Sequence, residues 1–266
     1  MDSQSFVAAV VAVVEGLTEF LPVSSTGHMI IVGNMLGFTG RLADVFEIFI
    51  QFGAILSAVV MYWDCFLRFL TPDGWRLDKG FSVWHVAAGA VPCMGIAFFC
   101  YKAIKGYLFN PFTVAVGLVL GALLLMWAEH KTVGKDLVDD LDHMTLKQAL
   151  YVGLFQILSL WPGFSRSGST IAGGMLVGLS RKVSAAFTFI MAVPIMFVAS
   201  LYDLYKNYQS LSTGDFQTLA LGFVVALVVA YLSIFWFVRF VEKHKLTFFA
   251  WYRIVLAAVC LWYFYR

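Results

Sequence analysis

Apolar residues in this chain do not alternate with polar ones at the spacing of a surface strand or a half-buried helix. They run on in blocks. Six of these blocks, at about 45–65, 82–101, 111–128, 184–203, 217–240 and 249–265, approach the roughly 20 residues that a helix rising ~1.5 Å per residue needs to cross a bilayer. Two further apolar stretches, about 5–37 and 147–178, are each interrupted by a cluster of Pro, Gly and Ser. The arms left on either side, ~15 residues long, are too short to cross alone. A helical hairpin that enters and returns on the same side fits them, because irregular backbone at membrane depth is tolerated where it lines a polar cavity. The pattern therefore predicts an all-α polytopic membrane protein, with six transmembrane helices plus two re-entrant helical hairpins in one integral membrane domain over 1–266.

The two interrupted stretches resemble each other. A shift of 141 positions sets Glu15 on Gln156, Leu17 on Leu158, Ser24 on Ser165, Gly27 on Gly168, Gly33 on Gly174, Gly37 on Gly178 and Phe46 on Phe187. Each half, about 5–128 and about 147–265, holds one hairpin followed by three crossings. Three is odd, so the second half is expected upside down relative to the first, an inverted repeat whose broken helices meet near the midplane.

Composition agrees with a membrane body. Apolar residues make up 61% and charged ones 13%, with a mean hydropathy of +0.84, which excludes an ordinary soluble globule. A net charge of +2 without a basic tract excludes a nucleic-acid footprint. Cys65, Cys93, Cys100 and Cys260 have no metal-like spacing and read as small buried hydrophobes. Loop charge orients the chain. One side would carry Arg68, Arg76, Lys79, Lys131, Lys135, Lys147, Arg181, Lys182, Arg239, Lys243 and Lys245, the other only Arg41, Lys102, Lys105, Lys206 and Arg266. The richer side is expected to be cytoplasmic, with the first hairpin entering from outside and the second from the cytoplasm.

Against this apolar background the charges inside the hairpins stand out. Glu15 and Glu19 in the first lie one turn apart, ~6 Å along the axis, on one helix face. An ionised group at bilayer depth costs about 2.5–3.5 kcal/mol on insertion scales, so two together need a cation or a water-filled cavity. A hard divalent ion, Mg²⁺ or Ca²⁺, suits carboxylate oxygens combined with phosphate oxygens. The turn that follows reads Ser24-Ser25-Thr26-Gly27-His28. His28 or Ser25 could attack or direct water, and His28 could move a proton near neutral pH. In the second hairpin Arg166 stands among Ser165, Ser167, Gly168 and Thr170 just ahead of an expected helix start. A planar guanidinium, hydroxyl donors and free backbone N–H groups form a cradle for a phosphate. Glu47 and Gln51 share a face of the first crossing and could support this site. Arg253 is expected to snorkel from the last crossing to the interface, and the pairs Gly33/Gly37 and Gly174/Gly178 are expected to pack helices closely.

The segments Glu15–His28 and Pro162–Thr170 resemble those of the bacterial undecaprenyl-pyrophosphate phosphatases, the family also associated with bacitracin resistance. The likeness extends over essentially the whole chain. It implies hydrolysis of a C55 polyprenyl pyrophosphate to the monophosphate carrier of cell-wall synthesis, with a divalent metal, in the bacterial cytoplasmic membrane, at a site opening to the periplasm. Bacitracin would compete for the lipid substrate, and a homodimer is compatible with it. Glu19, Ser25, His28 and Arg166 then match catalytic positions and Glu15 and Glu19 metal ligands. Ser24, Thr26, Gly27, Ser165, Arg166, Ser167, Gly168 and Thr170 match substrate contacts. The alternative from another class is a transporter or flippase for polyprenyl phosphate, since inverted repeats with broken helices also serve carriers.

Overall fold

The computed structural model describes residues 3–207 and 216–266; the side chains of Arg41, Lys102 and Lys105 lie outside the described residues. The described chain is helical, without a β-strand. The first interrupted stretch forms α1 (Ser3–Thr18) and α2 (Ser25–Met35), the second α7 (Leu146–Gln156) and α8 (Arg166–Leu176). At 16, 11, 11 and 11 residues none of the four reaches across a bilayer. The longer elements are α3 (Arg41–Met61), α5 (Val83–Tyr107), α6 (Pro111–Thr132), α9 (Arg181–Asn207), α10 (Phe216–Lys243) and α11 (Thr247–Tyr265), with a short α4 (Trp63–Phe69) after α3.

Five of these, α5, α6, α9, α10 and α11, are long and apolar enough to cross a membrane by themselves. The run expected as one crossing over 45–65 behaves differently. Helix α3 stops at Met61, and the chain turns by 84° into α4, so this stretch qualifies only if the bent pair counts as one span. Neither Pro nor Gly causes the bend. Tyr62 leaves helical geometry at φ −111°, ψ 34°, and Asp64 in the first turn of α4 meets the positive end of a new helix dipole.

The two hairpins share local details at the 141-residue offset. Ser24 caps α2 and Ser165 caps α8, both at φ 70°, and each hydroxyl accepts the N–H of the glycine three residues on. The glycine pairs end the same helices. The N–H of Phe38 meets Gly33 O at 2.9 Å and that of Leu179 meets Gly174 O at 2.9 Å, around Gly37 at φ 64° and Gly178 at φ 94°. This is the Schellman stop, which needs a left-handed residue and so favours glycine. These pairs therefore terminate helices rather than serving only as packing stripes, although Gly174 also sits against Ser184.

Phe20 and Val23 from the first break, and Ile171, Ala172 and Met175 from α8, belong to one core with Ala54, Ala122, Phe189, Phe237 and Phe249. The tips of both hairpins are thus wrapped in protein, which satisfies the condition for non-spanning backbone at depth. At one end of the bundle the loops are tied together. Glu129 on α6 holds Arg181 through both oxygens, at 2.7 and 2.5 Å, and accepts the Leu246 N–H at 2.7 Å. Arg68 meets Asp142 at 2.8 Å, and Lys182 meets Glu242 at 3.0 Å. The loops expected to share one side therefore do lie together.

Candidate active site

Each break is built around a serine in the left-handed region, a conformation that costs a non-glycine residue roughly 1–2 kcal/mol. In the first, α1 ends at Thr18, Glu19 follows, and Ser24 turns the chain so that Ser25 opens α2. Ser25 Oγ then donates to Glu19 Oε2 at 2.6 Å. In the second, Trp161 Nε1 donates to Thr113 O at 2.9 Å. Gly163, at φ 89°, passes so close to the Val114 carbonyl that no side chain would fit. Ser165 then turns the chain so that Arg166 opens α8.

The hairpins meet at that residue. Arg166 Nη2 donates to Glu19 Oε1 at 2.6 Å, with the two side chains only 15% and 10% exposed. Ser167 Oγ donates to Leu21 O at 2.7 Å, a second link between the hairpins. Glu19 therefore holds the hydroxyl of Ser25 on one oxygen and a guanidinium on the other. Arg166 Nη1 is buried and has no protein partner, which leaves one charged donor available to an anion.

The other expected residues take distinct places. Glu15 is buried and lies within electrostatic reach of Glu19, Glu47 and Arg166. With Ser25, Thr26, Glu47 and Gln51 it lines a cavity of about 690 Å³ whose remaining wall includes Met29, Ile30, Ala97 and Phe109. The lining mixes charged and hydroxyl groups with apolar ones, the composition of a small-molecule site. Gly27 packs on the Leu118 side chain. Ser165 caps α8 and contacts Ser167, at 3.1 Å. Thr170 donates to Arg166 O at 2.8 Å and accepts from Thr188, so this hydroxyl is engaged with protein. His28 uses both ring nitrogens away from Ser25 and Glu19: Nδ1 is 2.8 Å from Ser24 O and Nε2 is 2.7 Å from Tyr252 Oη.

Among the described residues no group of three or more His, Cys, Asp or Glu side chains forms a metal-binding cluster. A divalent ion that keeps most of its shell for phosphate oxygens and water needs only one or two carboxylates. Glu15, which faces the cavity, and Glu19 are the carboxylates that could hold such an ion.

Arg253 corrects a sequence expectation. It does not snorkel: it is fully buried, with Nη2 donating to Phe164 O at 2.6 Å and Gly163 O at 3.1 Å. Room for it comes from α6, where a side chain at Gly121 would collide with the guanidinium, and from Gly168, which lies against Nη1. Those acceptors are carbonyls freed by the second break, so Arg253 holds that turn. The signal was present in its position: an arginine seven residues into an apolar helix has no short way out.

Comparison with known proteins covers nearly the whole chain. The profile of the bacitracin resistance protein BacA family matches residues 8–259. A protein of Solidesulfovibrio magneticus named undecaprenyl-diphosphatase is 45% identical over 262 residues, 98% of each chain. One of Maridesulfovibrio salexigens with the same name is 45% identical over 259 residues, 97% of this chain and 98% of its own.

Proposed function

As the chain belongs to the bacitracin resistance protein BacA family, we propose that it hydrolyses undecaprenyl diphosphate to undecaprenyl phosphate and phosphate, at the junction of its two hairpins. The observation that carries the reading is Glu19, whose carboxylate takes the Ser25 hydroxyl and the Arg166 guanidinium at 2.6 Å each. A carrier needs an anion cradle but no hydroxyl seated on a base.

The diphosphate enters the cavity beside Ser25 with its tail along the apolar wall, reached laterally from the lipid. Arg166 turns its free donor to the terminal phosphoryl group and stabilises charge that builds there. Ser25 gives its proton to Glu19 and attacks the terminal phosphorus. The bond from that phosphorus to the bridging oxygen breaks, and Glu19 returns the proton to the departing undecaprenyl phosphate. Water then cleaves the phosphoserine, releasing phosphate and restoring the hydroxyl. Glu15 and Glu19 would hold a divalent cation, Mg²⁺ or Ca²⁺, which supplies charge neutralisation for the diphosphate. Ser24, Thr26 and Gly27, with Ser165, Ser167, Gly168 and Thr170, form the two turns around the phosphate position.

The reading carries further parts: two inverted repeats, 5–128 and 147–265, a place in the bacterial cytoplasmic membrane, a site opening to the periplasm, competition with bacitracin for the lipid, and self-association as a homodimer. Phosphate release by the purified chain, with and without a chelator, tests the core of it. Release that stops on chelation and returns with Mg²⁺ or Ca²⁺ is the expected result. Transfer of polyprenyl phosphate across a vesicle bilayer with no release from the diphosphate would replace the enzyme by a flippase.

A further inference from the structure

His28 is held on both sides of its ring. Nδ1 lies 2.8 Å from Ser24 O, and a carbonyl only accepts, so Nδ1 carries a hydrogen. In the neutral imidazole the lone pair then sits on Nε2, where the Tyr252 hydroxyl at 2.7 Å donates into it. The rings lie parallel, 7° between planes and 5.6 Å between centroids. Tyr252 comes from α11 and His28 from α2, 224 positions apart in the chain. Ser24, which receives the ring N–H, is the strained residue at φ 70° whose successor is Ser25. Its carbonyl also takes the His28 backbone N–H, at 3.4 Å, so His28 pins the turn twice.

We propose that Tyr252 is a positioning residue for the reaction: its hydroxyl fixes His28 in the Nδ1–H form that holds the Ser24 carbonyl, and through that turn it aims Ser25 at Glu19. Without the hydroxyl only the Ser24 carbonyl favours the Nδ1–H form, and the form with its hydrogen on Nε2 gains population. In that form the Ser24 carbonyl faces a lone pair, and the left-handed turn loses one of the bonds that offset its strain. His28 thereby acts through Ser24, the residue next to the attacking serine. The inference rests on Ser25 as the attacking group.

The test uses the full chain in detergent and Tyr252→Phe, which keeps the ring and removes one oxygen. Nitrogen-15 spectra of labelled histidine, with His28 assigned by its loss in His28→Gln, read the tautomer without substrate. The wild type is expected in the Nδ1–H form and Tyr252→Phe as a mixture. An Nε2–H wild type, or an unchanged spectrum in the variant, would overturn the tautomer argument. Turnover of a polyprenyl diphosphate supplies the second arm. Tyr252→Phe should lower kcat about tenfold, the loss of one hydrogen bond, with KM within about twofold. Added to His28→Gln it should lower kcat no further. An unaltered kcat, or a full additional loss in the double variant, sinks the proposal. A wild-type chain that releases no phosphate would refute the phosphatase reading alone, since the spectra stand apart from it.

Discussion

A guanidinium and a carboxylate side by side at 2.6 Å, both largely buried, matter most through what it costs to separate them. Breaking a buried pair from one side costs about 3–5 kcal/mol, because the remaining charge has lost both water and partner. Arg166→Ala should therefore lower the thermal midpoint of the purified protein as well as its turnover. The double variant Glu19→Gln/Arg166→Gln, which removes both charges, should recover most of the midpoint while turnover stays lower by orders of magnitude. Near-full phosphate release by either variant would contradict the assigned roles. This junction was legible in the sequence because charges inside apolar runs are expensive wherever they occur. Tyr252 was not, because its partner is a histidine 224 positions away; for Arg253 the buried charge was legible but its partners, backbone carbonyls freed by a distant turn, were not.

The hairpins work as elements because each arm is stopped as firmly as it is started. Gly178 at φ 94° ends α8, and alanine there should cost about 1 kcal/mol. Gly33 lies within α2 at ordinary φ, where an added Cβ comes no nearer than 3.4 Å, to Phe38 O. Gly33→Ala should therefore be neutral or slightly stabilising. Comparing thermal midpoints of the two variants checks the distinction, and equal effects would count against it. Arm length and the Pro, Gly and Ser clusters predicted these interruptions. The bend at Tyr62 escaped, since no breaker residue marks it and hydropathy runs on through it.

Across the whole molecule, one end of the bundle is fastened by ion pairs outside the apolar layer. Asp142 shows how they respond to acid. Partial burial pushes its carboxyl up, but the Phe81 N–H at 2.7 Å and Arg68 at 2.8 Å outweigh that and hold it below the usual carboxylate range. A depressed folded value means that the stabilisation is complete above the ordinary aspartate pKa of about 3.9 and fades as pH falls through the folded value. The thermal midpoint of the wild type should therefore exceed that of Asp142→Asn by a constant, modest amount above about pH 4, and the gap should close below it. A gap that persisted unchanged in stronger acid would assign it to something other than this carboxylate.

Helix α11 supplies the brace on both hairpins, Tyr252 through His28 and Arg253 on the carbonyls of 163 and 164, and it lies far downstream of both motif segments in the chain. A ribosome has finished every residue of both motif segments long before it reaches these two. Until they insert, neither serine turn is locked. Competence thus arrives with α11, and a nascent chain cut short ahead of it would carry the full set of reacting groups in an unset frame.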